Sequence, residues 1–91
     1  MITILTPTYN RGNELRNLYE SLKRQISKNF IWYIVDDGST DGTEDIVKEF
    51  EFENLMSIRY DKKENGGKHT ALNYGIQRIE TALTMVVDSD D

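Results

Sequence analysis

The spacing of apolar residues changes period several times along the chain, and each change marks an element. Ile2-Thr-Ile-Leu-Thr6 is short and β-branched, the pattern of a strand. Pro7 is expected to end it, because proline cannot donate to a central ladder. Leu15, Leu18, Tyr19, Leu22 and Ile26 then recur at helical spacing, with Asn13 as the expected N-cap. Phe30 to Val35 is apolar without interruption and predicts a central strand buried on both faces. Ile46, Val47 and Phe50 make the face of a second helix, opened by Asp41 and Glu44 at capping-box spacing. Glu51 to Leu55 is polar and reads as a connection, and Met56 to Tyr60 alternates as a strand nearer an edge would. Leu72, Gly75, Ile76, Ile79 and Leu83 suggest a third helical face. A glycine in a helix interior costs about 1 kcal/mol relative to alanine, so Gly75 is expected where that helix packs closely on the sheet. Leu83 to Val87 reads as a last, buried strand.

The predicted order is β-α-β-α-β-α-β, which implies a three-layer α/β domain over residues 1–91 with mainly parallel strands and right-handed crossovers. Four polar segments, Thr8–Arg11, Asp36–Asp41, Asn65–Lys68 and Asp88–Asp91, each follow a strand. In a parallel sheet such loops meet at one edge, where ligands of open α/β sheets bind. That convergence is the strongest functional signal in the chain.

Composition removes several classes. Ninety-one residues allow one domain with a modest core. The net charge is −5 and no run of Lys or Arg exceeds two residues, which disfavours nucleic acid as a partner. There is no cysteine, hence no disulfide or thiolate metal site. No apolar run approaches the ~20 residues of a membrane span, and no signal-peptide pattern opens the chain. The expectation is a cytoplasmic protein, with peripheral placement at the inner face of the membrane compatible with it.

The polar segments carry the candidate chemistry. Asp88, Asp90 and Asp91 stand within four positions and repel one another unless a cation or donors lie between them; hard divalent ions, Mg²⁺ or Mn²⁺, suit them. Asp36 and Asp37 are adjacent acids leaving a buried strand, which a simple turn explains poorly. Carboxylates at two strand ends, a metal, backbone amides and a few cations together suit a nucleotide diphosphate. An aspartate can accept from the N3–H of uracil, the Pro7-Thr8-Tyr9 turn can pair with the rest of the base edge, and Lys68 or Arg11 can add positive charge. There is no Walker A loop and no Gly-x-Gly-x-x-Gly, which disfavours an ATPase or a dinucleotide oxidoreductase. Nothing in the spacing of Ser39, His69 and an aspartate supports a hydrolytic triad, and His69 reads as a solvated residue at a helix start.

These pieces resemble the N-terminal half of a family 2 glycosyltransferase with the GT-A fold, a Rossmann-like three-layer sheet. The matching stretches are Ile4 to Arg11, Ile34 to Thr43, Asn65 to Lys68 with Ala71-Leu72-Asn73, and Val87 to Asp91, in the family's order and across the whole chain. The resemblance implies inverting transfer of a sugar from a nucleotide-sugar, usually a UDP-sugar, to an acceptor hydroxyl with Mn²⁺ or Mg²⁺. It implies that Pro7, Thr8, Tyr9 and Arg11, Asp36 and Asp37, Gly66, Gly67 and Lys68 bind the nucleotide. Asp37 would read the uracil, Asp88 would lie near the ribose or sugar, and Asp90 and Asp91 would be at the metal. It also implies further strands, an acceptor site for a glycan or lipid-linked sugar, and a carboxylate general base beyond residue 91. The chain is therefore expected to be the donor-binding part of a domain truncated before its acceptor half, without transfer activity alone and prone to self-association. A non-catalytic nucleotide-binding module is the alternative. A receiver-like domain, with Asp61 near the end of strand three, leaves Asp36-Asp37-Gly-Ser-Thr unexplained.

Overall fold

The computed structural model describes residues 1–25, 27–81 and 83–88. Its elements are β1 (Ile2–Thr8), α1 (Gly12–Lys23), β2 (Phe30–Asp36), α2 (Thr43–Glu53), β3 (Ser57–Lys62), α3 (Lys68–Ile76) and β4 (Leu83–Val86). The four strands form one parallel sheet in the order β3-β2-β1-β4. The α/β alternation read from the periodicity is therefore the observed one. Among the described residues no helix is long and apolar enough to cross a membrane.

The strand order determines where the layers lie. The chain steps from β1 to β2 to β3 in one direction, then returns across the sheet to place β4 on the other side of β1. With right-handed crossovers, the outward steps put α1 and α2 on one face, and the return puts α3 on the other. Leu15, Leu18, Tyr19 and Leu22 of α1 and Val47 and Phe50 of α2 pack with Ile4, Trp32 and Ile34. On the opposite face Ala71 of α3 packs with Leu5, Tyr33 and Val35. Gly75 makes that contact possible. A Cβ built there would stand 2.6 Å from Leu5 Cδ1 and 3.1 Å from Val35 Cγ2, so the helix lies as close to the sheet as its backbone allows.

Several expectations are corrected. Pro7 does not end β1; it pairs in register with Val35, and the strand runs on to Thr8. Residues two apart in a strand turn their backbone groups to the same side. The Leu5 carbonyl accepts from Val87 N–H, so Pro7 faces the β4 side, beyond the last paired position of that ladder, Leu5 with Val86. Its missing N–H costs no ladder bond. Helix α1 starts at Gly12 after Arg11, not after an Asn13 cap. The side chain of Asp41 accepts from Thr43 N–H at 3.1 Å, while Glu44 pairs with Lys48 and Lys62, so no reciprocal capping box forms. Helix α2 extends through Glu53 into the stretch read as a connection. Ile76 is exposed, and Leu83 belongs to β4. Strand β4 is not buried: Leu83 is 65% exposed, because β4 lies at the edge beside β1 while α3 packs on β1 and β2. The helical position proposed for Ile26 lies outside the described residues.

Candidate functional site

The strand order reverses direction between β1 and β4, and open α/β sheets bind ligands in the crevice at such a reversal. A cleft of about 390 Å³ occupies that place. Pro7, Thr8, Tyr9 and Arg11 line it from the end of β1, and Asp37 from the end of β2. Gly67 and Lys68 line it from the start of α3, and Asp88 from beyond β4. These are eight of the ten residues expected at a nucleotide. The sequence reading missed Ala71 as a lining residue, and it cited Asn65 only as part of a motif. Ala71 lies on the same helical side as Lys68, so helical spacing alone could have pointed to it.

Backbone and side-chain bonds lace the strand ends together. Asp37 N–H donates to the Thr8 carbonyl at 2.8 Å, and Lys63 N–H donates to the Asp36 carbonyl at 2.8 Å. Asn10, at φ 52°, donates its N–H to Ser39 Oγ at 2.8 Å and accepts from Thr40 N–H through Oδ1 at 2.8 Å. Asparagine tolerates this left-handed conformation better than most residues. Gly38, at φ 86°, lies where a Cβ would sit 3.0 Å from Asn65 N, so the loops after β2 and β3 touch through a residue without a side chain.

The two adjacent acids part company. Asp36 continues the side of β2 that carries Trp32 and Ile34, since alternate side chains point to opposite faces. It is fully buried, accepts from Ser39 N–H at 2.8 Å and from the Tyr60 hydroxyl, and does not line the cleft. Expected at the nucleotide, Asp36 ties β2 to β3 behind the cleft in this fold. Burial, and then the bond to Asp36, push the Tyr60 hydroxyl well above the usual phenol range. Asp37 faces the α3 side. Its Oδ1 accepts from Lys63 Nζ at 2.8 Å and Gly66 N–H at 3.0 Å, and its Oδ2 from Gly67 N–H at 2.8 Å and Asn65 Nδ2 at 3.4 Å. Burial alone would raise its pKa; the bonds from Lys63, Gly66 and Gly67 outweigh that and hold the carboxyl below the ordinary range. Gly66 thus serves the site through Asp37 without lining the cleft. Four donors thus hold the two carboxylate oxygens, and the Asn65 amide is the most distant of them.

Thr8 Oγ1 is buried at the cleft and, among the buried side-chain oxygens and nitrogens of the described residues, is the one that lacks a hydrogen-bond partner. Buried polar atoms are rarely left so, and a polar ligand edge would satisfy it. Lys68, at the start of α3, forms an ion pair with Asp88 across the cleft. His69 is exposed and does not line the cleft. Asp90 and Asp91 lie outside the described residues, and among the described residues no three acidic or imidazole side chains converge as a metal set. Asp88 is the described member of the acid run. Its carboxylate chemistry suits a hard cation, and its partner here is the Lys68 ammonium.

Comparison with known proteins agrees with this geometry. Residues 3–91 match the family model of glycosyl transferase family 2. The chain is 40% identical over 90 residues to glycosyltransferase GlyA of Streptococcus pneumoniae, covering 99% of this chain and 13% of that protein. It superposes on the mannosyltransferase PcManGT of Pyrobaculum calidifontis, solved with GDP-Man and Mn²⁺, with TM-score 0.86 and 25% identity over 98% of this chain and 27% of that one. It also superposes on S. aureus TarS 1–349 in complex with UDP-GlcNAc, with TM-score 0.83 and 29% identity over 98% of this chain and 26% of that one. The chain therefore spans well under half the length of these relatives. Within that span the strand order, the crevice at its reversal and the family match agree: the chain belongs to glycosyl transferase family 2, and its sheet is that of GT-A glycosyltransferases.

Proposed function

We propose that these residues bind the nucleotide-sugar donor of a glycosyltransferase that moves the sugar, from a UDP-sugar in the first instance, to an acceptor hydroxyl of a glycan or lipid-linked sugar. The observation that carries this reading is the cleft at the β1/β4 reversal, where residues from four separate loops converge. The solved relatives hold GDP-Man with Mn²⁺ in one case and UDP-GlcNAc in the other, which supports a nucleotide-sugar as the ligand class.

The roles follow from the lining. Thr8 offers an unsatisfied hydroxyl and Tyr9 a half-exposed ring to the nucleoside. Asp37 accepts a base N–H by exchanging its Asn65 contact. Arg11 and Lys68 face the diphosphate, where fixed positive charge stabilises the negative charge that develops as the sugar leaves. Asp90 and Asp91 would hold Mn²⁺ or Mg²⁺, which when bound adds to that positive charge, with Asp88 of the same run near the ribose or sugar. Transfer is inverting: the acceptor oxygen bonds to the anomeric carbon as the bond to the phosphate oxygen breaks on the opposite side, and the hydroxyl proton passes to a base.

Calorimetric titration of the chain with UDP, GDP and ADP, each with and without Mn²⁺, tests this. UDP is expected to bind more tightly than ADP and only weakly without the metal. Equal affinity for ADP, or no gain from Mn²⁺, would overturn the uridine and metal assignments respectively. A preference for GDP would move the donor to the class held by the mannosyltransferase relative.

A further inference from the structure

Lys63 is absent from the predicted site and does not line the cleft, yet its ammonium lies directly behind the wall. It donates to Asp37 Oδ1 at 2.8 Å, to the Glu64 carbonyl at 2.5 Å and to Thr70 Oγ1 at 3.0 Å. A lysine ammonium has three donors, and all three are engaged. The Lys63 side chain is 15% exposed and that of Asp37 5%, so this is an ion pair largely withdrawn from water. The Thr70 hydroxyl in turn donates to the Gly67 carbonyl at 2.6 Å, and Gly67 N–H returns to Asp37. Lys63, Asp37, Gly67 and Thr70 thus close a ring around the segment whose outer side is the cleft wall. Gly66 leaves room for it: a Cβ there would lie 3.0 Å from Thr70 Oγ1 and 3.3 Å from Lys63 Nζ.

We propose that Lys63 is a positioning residue of the donor cleft: its ammonium holds the Asn65–Lys68 wall between the Asp37 carboxylate and the first turn of α3, so nucleotide affinity depends on a lysine that does not touch the nucleotide. The proposal rests on the donor-site reading above. The physical argument is one of charge. Breaking a buried pair leaves its surviving carboxylate uncompensated. Without Lys63, Asp37 reaches compensation most readily by turning toward water, and it carries Gly66 and Gly67 with it. Arginine keeps the charge but spreads its donors over a planar fork instead of one point. It can restore the Asp37 contact without restoring the bonds to Glu64 and Thr70.

The test compares wild type, Lys63→Met and Lys63→Arg by amide hydrogen exchange and by titration with UDP and Mn²⁺. In Lys63→Met the Gly66 and Gly67 amides are expected to exchange faster while those of β1 and β2 keep their protection. UDP affinity is expected to fall about 10- to 100-fold, the range a hydrogen bond to a charged group is worth. Lys63→Arg should recover part of both. Three results would overturn the proposal: unchanged exchange at Gly66 and Gly67, loss of protection in β1 and β2 to the same degree, or unchanged UDP affinity in Lys63→Met. If the wild-type chain binds no nucleoside diphosphate, the donor-site reading fails instead, and amide exchange still decides whether Lys63 holds the wall.

Discussion

The two faces of the sheet are built differently. On one, two helices bury Tyr19, Trp32 and Phe50 as stacked rings, with centroids 4.0 Å apart for Tyr19–Phe50 and 5.8 Å for Trp32–Phe50. Trp32 Nε1 also donates to Thr6 Oγ1 at 3.0 Å. On the other face a single nine-residue helix rests Ala71 and Gly75 on Leu5, Tyr33 and Val35. The cleft opens on this thinner side, against the first turn of that helix. Large side chains would hold a helix away from the sheet; small ones let α3 approach until its N-terminal turn reaches the strand ends. The thick face supplies most of the apolar burial, and the thin face sets the position of a binding wall. Stability and site geometry should therefore be separable by mutation.

The largest effect is expected on the thick face. Trp32→Ala removes the fully buried ring that joins α2 to the sheet and leaves the buried Thr6 hydroxyl without its donor. Core Trp→Ala changes cost about 3–5 kcal/mol, much of the ~5–15 kcal/mol that holds a domain together. Urea unfolding should show a chain partly unfolded without denaturant. A loss below about 1 kcal/mol would mean that this face is not the main source of stability.

A smaller loss of stability with a larger effect on binding is expected from Gly75→Val. Its side chain would overlap Leu5 and Val35, and overpacking of this kind costs about 1–3 kcal/mol. Because α3 must move outward to relieve it, UDP affinity should fall even under conditions where the variant is fully folded. A folded variant with unchanged affinity would separate the wall from the thin-face packing and break the comparison.

The smallest effect is a pH dependence. Burial would raise the Asp37 pKa, but the Lys63, Gly66 and Gly67 bonds hold it below that of the unfolded chain. A folded-state pKa below the unfolded one contributes stability above the unfolded value, near pH 4, and that contribution is lost as pH falls through the folded value. Asp41 is held low in the same way: the Thr43 hydroxyl and the Thr43 and Gly12 N–H groups outweigh burial. The wild type should therefore lose stability between pH 5 and pH 2. Asp37→Asn should start less stable at pH 7 and lose less over that interval, since Asp41 still titrates. Urea midpoints at several pH values check this, and parallel curves for the two proteins would refute it.

Much of this was legible along the chain. Strict helical spacing at Leu15, Leu18, Tyr19 and Leu22 located α1, and the unbroken run from Phe30 to Val35 located the central strand. Both signals are local, since burial on one side or both dictates the spacing of apolar residues. The converging loops were legible too, because polar residues after every strand of a parallel sheet must meet. Element ends were less so. Pro7 and Asn13 obey local rules that yielded to tertiary context: Pro7 because its missing donor faces an unpaired side, Asn13 because the helix begins two residues earlier than a cap there would start it. Asp36 and Asp37 look equivalent in sequence, and the alternation of a strand whose end was not known separates them. Lys63 carried no signal at all in a charged loop.

The sequence by itself determined the alternation of strands and helices, the parallel sheet that follows from it, and the residue types that gather at its carboxyl edge. Those depend on periodicity and on the handedness of crossovers, which act over one or two elements. Tertiary structure alone decided that β4 returns beside β1, which creates the crevice between them and leaves Leu83, Met85 and Val86 on an exposed edge. It also decided which acid faces the cleft and which lysine lies behind it. Strand order is set by how whole layers cover one another, and a hydrogen-bond ring such as that of Lys63, Asp37, Gly67 and Thr70 joins residues up to thirty-three positions apart. Such contacts exist only once the layers are in place, so no pattern along the chain can announce them.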